Sequence, residues 1–255
     1  MSSGGGGQAK PRPRPGRRPA GEPQKRSRGD RVIRAYQQLR ELIVWGKLAP
    51  GSRIIETDIA ARLGVSRTPV RAALQRLLQE GYIQVSGNGG QQSRLSVAPL
   101  TRYDARELFT IVSEVEALAA RWAAERPPEE RARVASRLRE INRDLEASGS
   151  RPDPDPHVLF DLDQAFHFGF FSAGAGPRLT TLHRAVRPQS ERYVRLYLSA
   201  FTDEIHHSVS EHDAIIEAIE AGRPGEAKEA VLQNWRNAGE RLSAVIDRLG
   251  ERGTW

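Results

Sequence analysis

Two sets of residues in this chain have the types and spacing to do chemistry. Asp163 and His167 stand four positions apart, so on a helix they project from one face, where a carboxylate and an imidazole can share one metal ion. The same two side chains also make sense as a hydrogen-bonded pair with no metal. The second set lies in the run Ile55 to Leu77, IETDIAARLGVSRTPVRAALQRL. Its second half puts Arg67, Thr68, Arg71 and Gln75 on a narrow polar arc, opposite Val70, Ala73, Leu74 and Leu77. Arg can read guanine with two hydrogen bonds or clamp a phosphate, and Gln can read adenine, so the arc suits the major groove of DNA. Thr68 and Ser66 stand near the helix N-terminus, which favours anions. An ordinary amphipathic helix would share the arc, but not what surrounds it.

Such side chains need two helices held at a fixed angle. Gly64-Val65-Ser66 supplies the tight turn between them, and the Ser66 hydroxyl is expected to cap the second helix. Pro69 falls in that helix's first turn, where a missing N–H does no harm. Ahead of the pair, a helix from about Asp30 to Trp45 places Ile33, Tyr36, Leu39 and Ile43 at helical spacing. Gly46 ends it, and Ala49-Pro50-Gly51 turns the chain. Behind the pair, Gly81 stops the second helix. Tyr82-Ile83-Gln84-Val85 and Leu95-Ser96-Val97 then alternate as two short strands around the tip Ser86-Gly87-Asn88-Gly89-Gly90. Residues 30–99 are therefore expected to form a winged helix-turn-helix.

The spacing predicts helices at about 101–126, 129–148, 158–173, 178–200, 204–221 and 225–249. Breaks fall at Pro127-Pro128, Ser148 to Pro156, Gly174 to Pro177 and Gly222 to Pro224. Leu108, Ile111, Val115, Leu118 and Trp122 recur at spacings of three or four, and Trp122 and Trp235 are expected to pack the interior. The fold class is mainly α, a winged helix-turn-helix followed by an antiparallel all-helical bundle over 100–255.

Charge divides the chain in the same places. Residues 1–29 carry a net +7, residues 30–99 a net +5, and residues 100–255 a net −5. A basic front attracts phosphate and an acidic back does not. Residues 1–29 hold almost no apolar side chains and are expected to be a disordered basic arm. That arm either adds non-specific DNA affinity or serves solubility alone. No cysteine is present, which excludes disulfides and thiolate metal sites and fits a cytoplasmic protein. No apolar run approaches the length of a membrane span, so no membrane partner is expected.

Leu48-Ala49-Pro50-Gly51, Leu63 to Leu74 and Glu80-Gly81 resemble the N-terminal domain of GntR-family bacterial transcription regulators. Glu116 to Ala120, Asp163 to Phe168 and Glu211 to Ile215 resemble the helical ligand-sensing domain, called FCD, of the FadR-like subfamily. Together the resemblances cover about residues 30–250. They imply a homodimer that binds a short palindromic operator in double-stranded DNA. They put the DNA contacts on Thr57, Ser66, Arg67, Thr68, Arg71 and the wing tip near Gly89 and Gly90. Thr57 stands where an Arg is common in the family. Gln75 joins these contacts from its place on the arc.

The FCD resemblance also implies a divalent metal (zinc, nickel or manganese) held by an Asp and three His. Asp163, His167 and His212 match the first three positions, and Asn234 replaces the fourth His. An Asn carbonyl suits harder cations better. Val112 stands where the family often has an Arg facing the ligand. A carboxylate effector is then expected to complete the metal's coordination, with an anion partner among Arg184, Arg187, Arg192 and Arg195, chiefly Arg192 and Arg195. His183, His206 and His207 show no partner spacing and are expected at the surface or in polar networks. The expected function is an effector-responsive regulator, a repressor, and not an enzyme. A DNA-binding dimer with a purely structural bundle is the alternative. A metal-dependent hydrolase is a further one, opposed by the lack of a general base at a recognisable spacing, of a nucleophile elbow and of a phosphate-binding Gly loop.

Overall fold

The computed structural model describes Met1 and residues 28–86, 94–200 and 205–253, with only the backbone at residues 28 and 196–200. Gly89, Gly90 and nearly all of the basic arm lie outside the described residues. In the N-terminal part, α1 (Arg28–Val44), α2 (Glu56–Leu63) and α3 (Arg67–Gln79) accompany strands β1 (Arg53–Ile54), β2 (Ile83–Ser86) and β3 (Arg94–Val97). Six further helices follow among the described residues: α4 (Arg102–Ala124), α5 (Pro128–Gly149), α6 (Pro156–Gly174), α7 (Pro177–Ala200), α8 (Ile205–Glu220) and α9 (Pro224–Leu249). The architecture is thus the mainly α one expected, with helix ends within about three residues of the expected ones.

The sheet has one strand more than the sequence pattern predicts. β3 pairs antiparallel with both β2 and β1, and β1 is two residues long. So short a strand has no alternation to detect. Gly64 caps α2 in the left-handed region at φ 63°, and this bends the chain into α3. Ser66 does not cap α3 as expected: its backbone is extended, but no side-chain cap hydrogen bond forms. Pro69, the third residue of α3, has no N–H and so removes one of the two donors that a cap can bind.

Buried apolar residues form two separate clusters. One packs α1, α2, α3 and the sheet around Leu39, Val70, Leu77 and Tyr82. The other fills the space among α4 to α9, around Val112, Phe166, Phe170, Ile215 and Leu242. Two expectations about faces need correction. Ile33 is 51% exposed, and Ala35, Tyr36, Leu39 and Ile43 form the buried side of α1 instead. On α4, Ile111 and Trp122 are 40% and 38% exposed, while Leu108, Val112, Ala119, Ala120 and Ala123 are buried. Small residues let the neighbouring helices approach α4 closely, which a search for large apolar side chains misses.

The closest of these approaches sets a prediction. A Cβ built on Gly174 would stand 1.9 Å from the Ala119 carbonyl oxygen. Gly174→Ala must push α6 away from α4, an overpacking that should cost about 1–3 kcal/mol. Urea unfolding of that variant checks the figure; a change within experimental error would mean that the two helices can separate freely.

The two clusters meet along α7. Glu191 pairs with Arg40 and accepts a 3.2 Å hydrogen bond from the Tyr82 hydroxyl. Arg192 donates to the Ala98 carbonyl at 2.7 Å. Leu100 and Arg252 form a backbone bridge beside this joint. Among the described residues, no helix is long and apolar enough to cross a membrane.

Candidate nucleic-acid interface and metal centre

The first site is the exposed side of α3. Burying Val70, Ala73, Leu74 and Leu77 against α1 turns Arg67, Thr68, Arg71 and Gln75 outward. With Ala72 they line a shallow hollow of about 260 Å³. Thr57 is exposed nearby on α2, where its hydroxyl donates to Asp58 at 3.2 Å. The uncapped Ser66 hydroxyl has no protein partner among the described residues and points its donor and acceptor to solvent. Glu56, at the start of α2, accepts from Arg71 Nη2 at 2.9 Å and from Nε at 3.2 Å. The sequence-based reading did not include Glu56.

The second site lies inside the bundle. α6 presents Asp163 and His167 on one face, and α8 brings His212 to them. One ligand atom from each lies within 4.8 Å of the others. Both histidine Nε2 atoms stand 3.9 Å from Asp163 Oδ1, too far for a hydrogen bond.

The protons of this trio can be deduced from its surroundings. Asn142 Nδ2 donates to the Val209 carbonyl at 3.0 Å and to Asp213 at 2.9 Å. Its carbonyl oxygen therefore faces His212 Nδ1, at 3.0 Å, and that nitrogen must carry the proton. His212 Nε2 is then a bare lone pair, and it is buried with no hydrogen-bond partner. Burial first, then the charges of His167 and Arg241, hold the His212 pKa well below the ordinary imidazole range, so the ring stays neutral. His167 Nδ1 lies 2.7 Å from Glu116 and donates to it, which turns the ring's Nε2 edge towards Asp163 and His212. Burial raises the pKa of Asp163, and His167 and Arg187 offset this only in part. The unpartnered His212 Nε2 thus faces the Asp163 carboxylate and the Nε2 edge of His167. A cation satisfies such a donor set, and the partners behind each imidazole are the outer shell that orients metal ligands.

Behind the trio sits a charge that the sequence-based reading did not single out as functional. Glu116 of α4 is fully buried and receives four donors. His167 and Trp235 approach Oε2 at 2.7 and 2.9 Å, while His183 and Arg187 approach Oε1 at 2.9 and 2.6 Å. Burial alone would push this carboxyl up, but Arg187 and the two histidines outweigh it and hold the pKa well below the carboxylate range. His183 therefore belongs to a polar network, one of its two expected places, whereas His206 and His207 are exposed. A lone Glu within the Ala-rich side of α4 was the available signal.

Asn234 is buried on α9, and its amide nitrogen donates to Glu211 at 2.8 Å. Val112 is wholly buried core. The α7 arginines divide differently from the expectation. Arg187 is the one that enters the bundle, and Arg184 is exposed. Arg192 and Arg195 lie at the joint instead of the metal centre. Arg195 packs between the rings of Trp45 and Phe160, 3.4 and 3.8 Å from their centres, and burial lowers its pKa to about 10.

Comparison with known proteins gives matching family models for both parts. Residues 32–91 match the model of bacterial regulatory proteins of the gntR family, and residues 107–237 match the FCD domain. The chain is 34% identical to an HTH-type transcriptional regulator of an unstable DNA locus of Streptomyces ambofaciens, over 79% of this chain and 80% of that one. It is 28% identical to a probable D-xylose utilization operon transcriptional repressor of Paenarthrobacter nicotinovorans, over 77% of this chain and 84% of the relative. The fold is similar to that of the E. coli protein McbR/YncC, with a TM-score of 0.67, 18% identity, and 85% and 98% of the two chains covered. The matches are to transcriptional regulators, not enzymes.

Proposed function

Because the chain belongs to the GntR family of bacterial transcriptional regulators and carries an FCD domain, we propose that it is a homodimeric repressor that answers to a small carboxylate. In this reading residues 30–99 are the DNA-binding domain and residues 100–255 the sensing and dimerising one, with residues 1–29 a basic arm. α3 enters the major groove of a short palindromic operator with Arg67, Thr68, Arg71 and Gln75. Thr57, Ser66 and the wing tip at Gly89 and Gly90 add contacts to the backbone. The relative named as a probable repressor supports the sign of regulation.

The observation that carries the sensing half is the buried cluster of Asp163, His167 and His212, in which His212 Nε2 has no hydrogen-bond partner. These residues would hold a divalent cation, with the Asn234 carbonyl as fourth ligand. When bound, the cation supplies positive charge and open positions for a carboxylate. Glu116 and Asn142 fix the two imidazole tautomers so that both Nε2 lone pairs face inward. Arg187 neutralises Glu116 and ties α7 to the site.

Exposed apolar side chains support a dimer. Ile111 and Trp122 on α4 and Leu182 on the adjoining α7 all stand in solvent in the single chain. Ile111→Asp with Leu182→Asp should leave the monomer folded and abolish dimers in sedimentation velocity. A pair of substitutions that leaves the dimer intact would move the interface elsewhere.

The experiment for the whole reading measures DNA affinity with and without a panel of di- and tricarboxylates. It uses duplexes selected by the protein and compares zinc-loaded with chelator-treated protein. Affinity should fall at least about fivefold in the zinc-loaded protein alone. An equal response after chelation would remove the cation from the mechanism, and no response to any carboxylate would favour a bundle that only dimerises.

A further inference from the structure

α3 carries three arginines, and the structure treats each differently. Arg76 pairs with Glu80 and lies over the Tyr36 ring. Arg67 makes no hydrogen bond or ion pair among the described residues. Arg71 is held by Glu56 across the helix-turn-helix, through Nε and Nη2. Both partners of this last pair lie at the surface, with side-chain exposures of 62% for Arg71 and 31% for Glu56. An exposed pair of this kind adds little to stability. A carboxylate on a face that approaches phosphates also weakens DNA binding. Glu56 also stands in the first turn of α2, where a carboxylate suits the helix dipole, but that place does not by itself call for the contact with Arg71.

We infer that Glu56 is a specificity-determining residue that acts by positioning Arg71. This rests on the reading of α3 as the DNA-contacting helix. A guanidinium offers two bidentate edges, a side edge made by Nε and Nη2 and an end edge made by the two Nη groups. Glu56 occupies the side edge. The end edge is left free, on a side chain 62% exposed, for the N7 and O6 acceptors of a guanine. Biasing the arginine towards one orientation before contact reduces its tendency to swing onto a phosphate. Arg67 feels the Glu56 charge but forms no hydrogen bond to it, and is left to contact phosphates. Base reading and backbone anchoring are thus divided between two arginines one helical turn apart.

The test is in vitro selection from duplexes carrying about 20 randomised base pairs, enough for two half-sites one turn apart. It uses the full chain and the variants Glu56→Gln, Arg67→Ala, Arg71→Ala and the double variant of Glu56 and Arg71. Thermal unfolding confirms that each is folded. The wild type should select one guanine per half-site at the position that Arg71 reads. Glu56→Gln should weaken that preference about threefold while binding the unselected pool several-fold more tightly, since a negative charge has gone. Arg71→Ala should abolish the preference, and Glu56→Gln should then add nothing to it. Arg67→Ala should weaken binding to all sequences alike and lower the salt slope by about one. Full guanine preference in Glu56→Gln would overturn the inference. So would a change of base preference caused by Glu56→Gln within Arg71→Ala, because Glu56 would then read a base itself. If Arg71→Ala keeps the wild-type motif, or the wild type selects none, the reading of α3 fails and the role of Glu56 fails with it.

Discussion

Replacing Glu116 by Ala should lower the unfolding free energy by about 3–5 kcal/mol, a large part of what a domain has. The substitution removes the acceptor for four buried donors, from His167, His183, Arg187 and Trp235. It also takes from the Arg187 guanidinium, which is 7% exposed, the one carboxylate it hydrogen-bonds, leaving it the Gln164 amide oxygen. Glu116→Gln should fare little better, since its amide offers one acceptor and two donors to a site that contains only donors. Urea unfolding measures both. A loss below about 1 kcal/mol would mean that water replaces the carboxylate readily, and that the bundle does not depend on this hub.

The second large effect concerns communication. α7 is shared by both sites: His183 and Arg187 bind Glu116, and Glu191 and Arg192 hold Arg40, Tyr82 and the Ala98 carbonyl one turn further on. Pro188 lies between the two groups and interrupts the helix's hydrogen-bond ladder. A change at Glu116 can therefore turn the first half of α7 against the second. Coupling of this kind usually amounts to about 5–150-fold in affinity. Glu191→Ala should leave zinc uptake and unliganded DNA affinity within about twofold of wild type, yet bring the carboxylate's effect on DNA binding close to one. Fluorescence anisotropy on a selected duplex, with and without carboxylate, reads this directly. A full response in Glu191→Ala would route the coupling through another contact.

Much of this was legible in the residues. Gly64, the Arg67–Gln75 arc and the Gly81 stop mark the helix-turn-helix, and the Pro and Gly breaks mark α4 to α9, because local backbone chemistry fixes such boundaries. The pairing of Asp163 with His167 follows from helical spacing alone. What stayed hidden depends on tertiary contact. Ile111 and Trp122 look like core residues until the alanines of α4 prove to be the packed side. Arg192 and Arg195 look equivalent to Arg187 until α7 is seen to touch two clusters. Glu116 meets four residues that stand 51 to 119 positions further along the chain, and no local pattern reports such a meeting.

The measurement that tests the central claim most directly is native mass spectrometry of protein purified without chelator and then saturated with zinc, alongside Asp163→Ala and His212→Ala. The account predicts a dimer carrying one divalent ion per subunit, and none in either variant. A wild-type mass equal to that of the bare polypeptide would contradict it, and would leave Asp163, His167 and His212 as a buried polar cluster with no cation to bind.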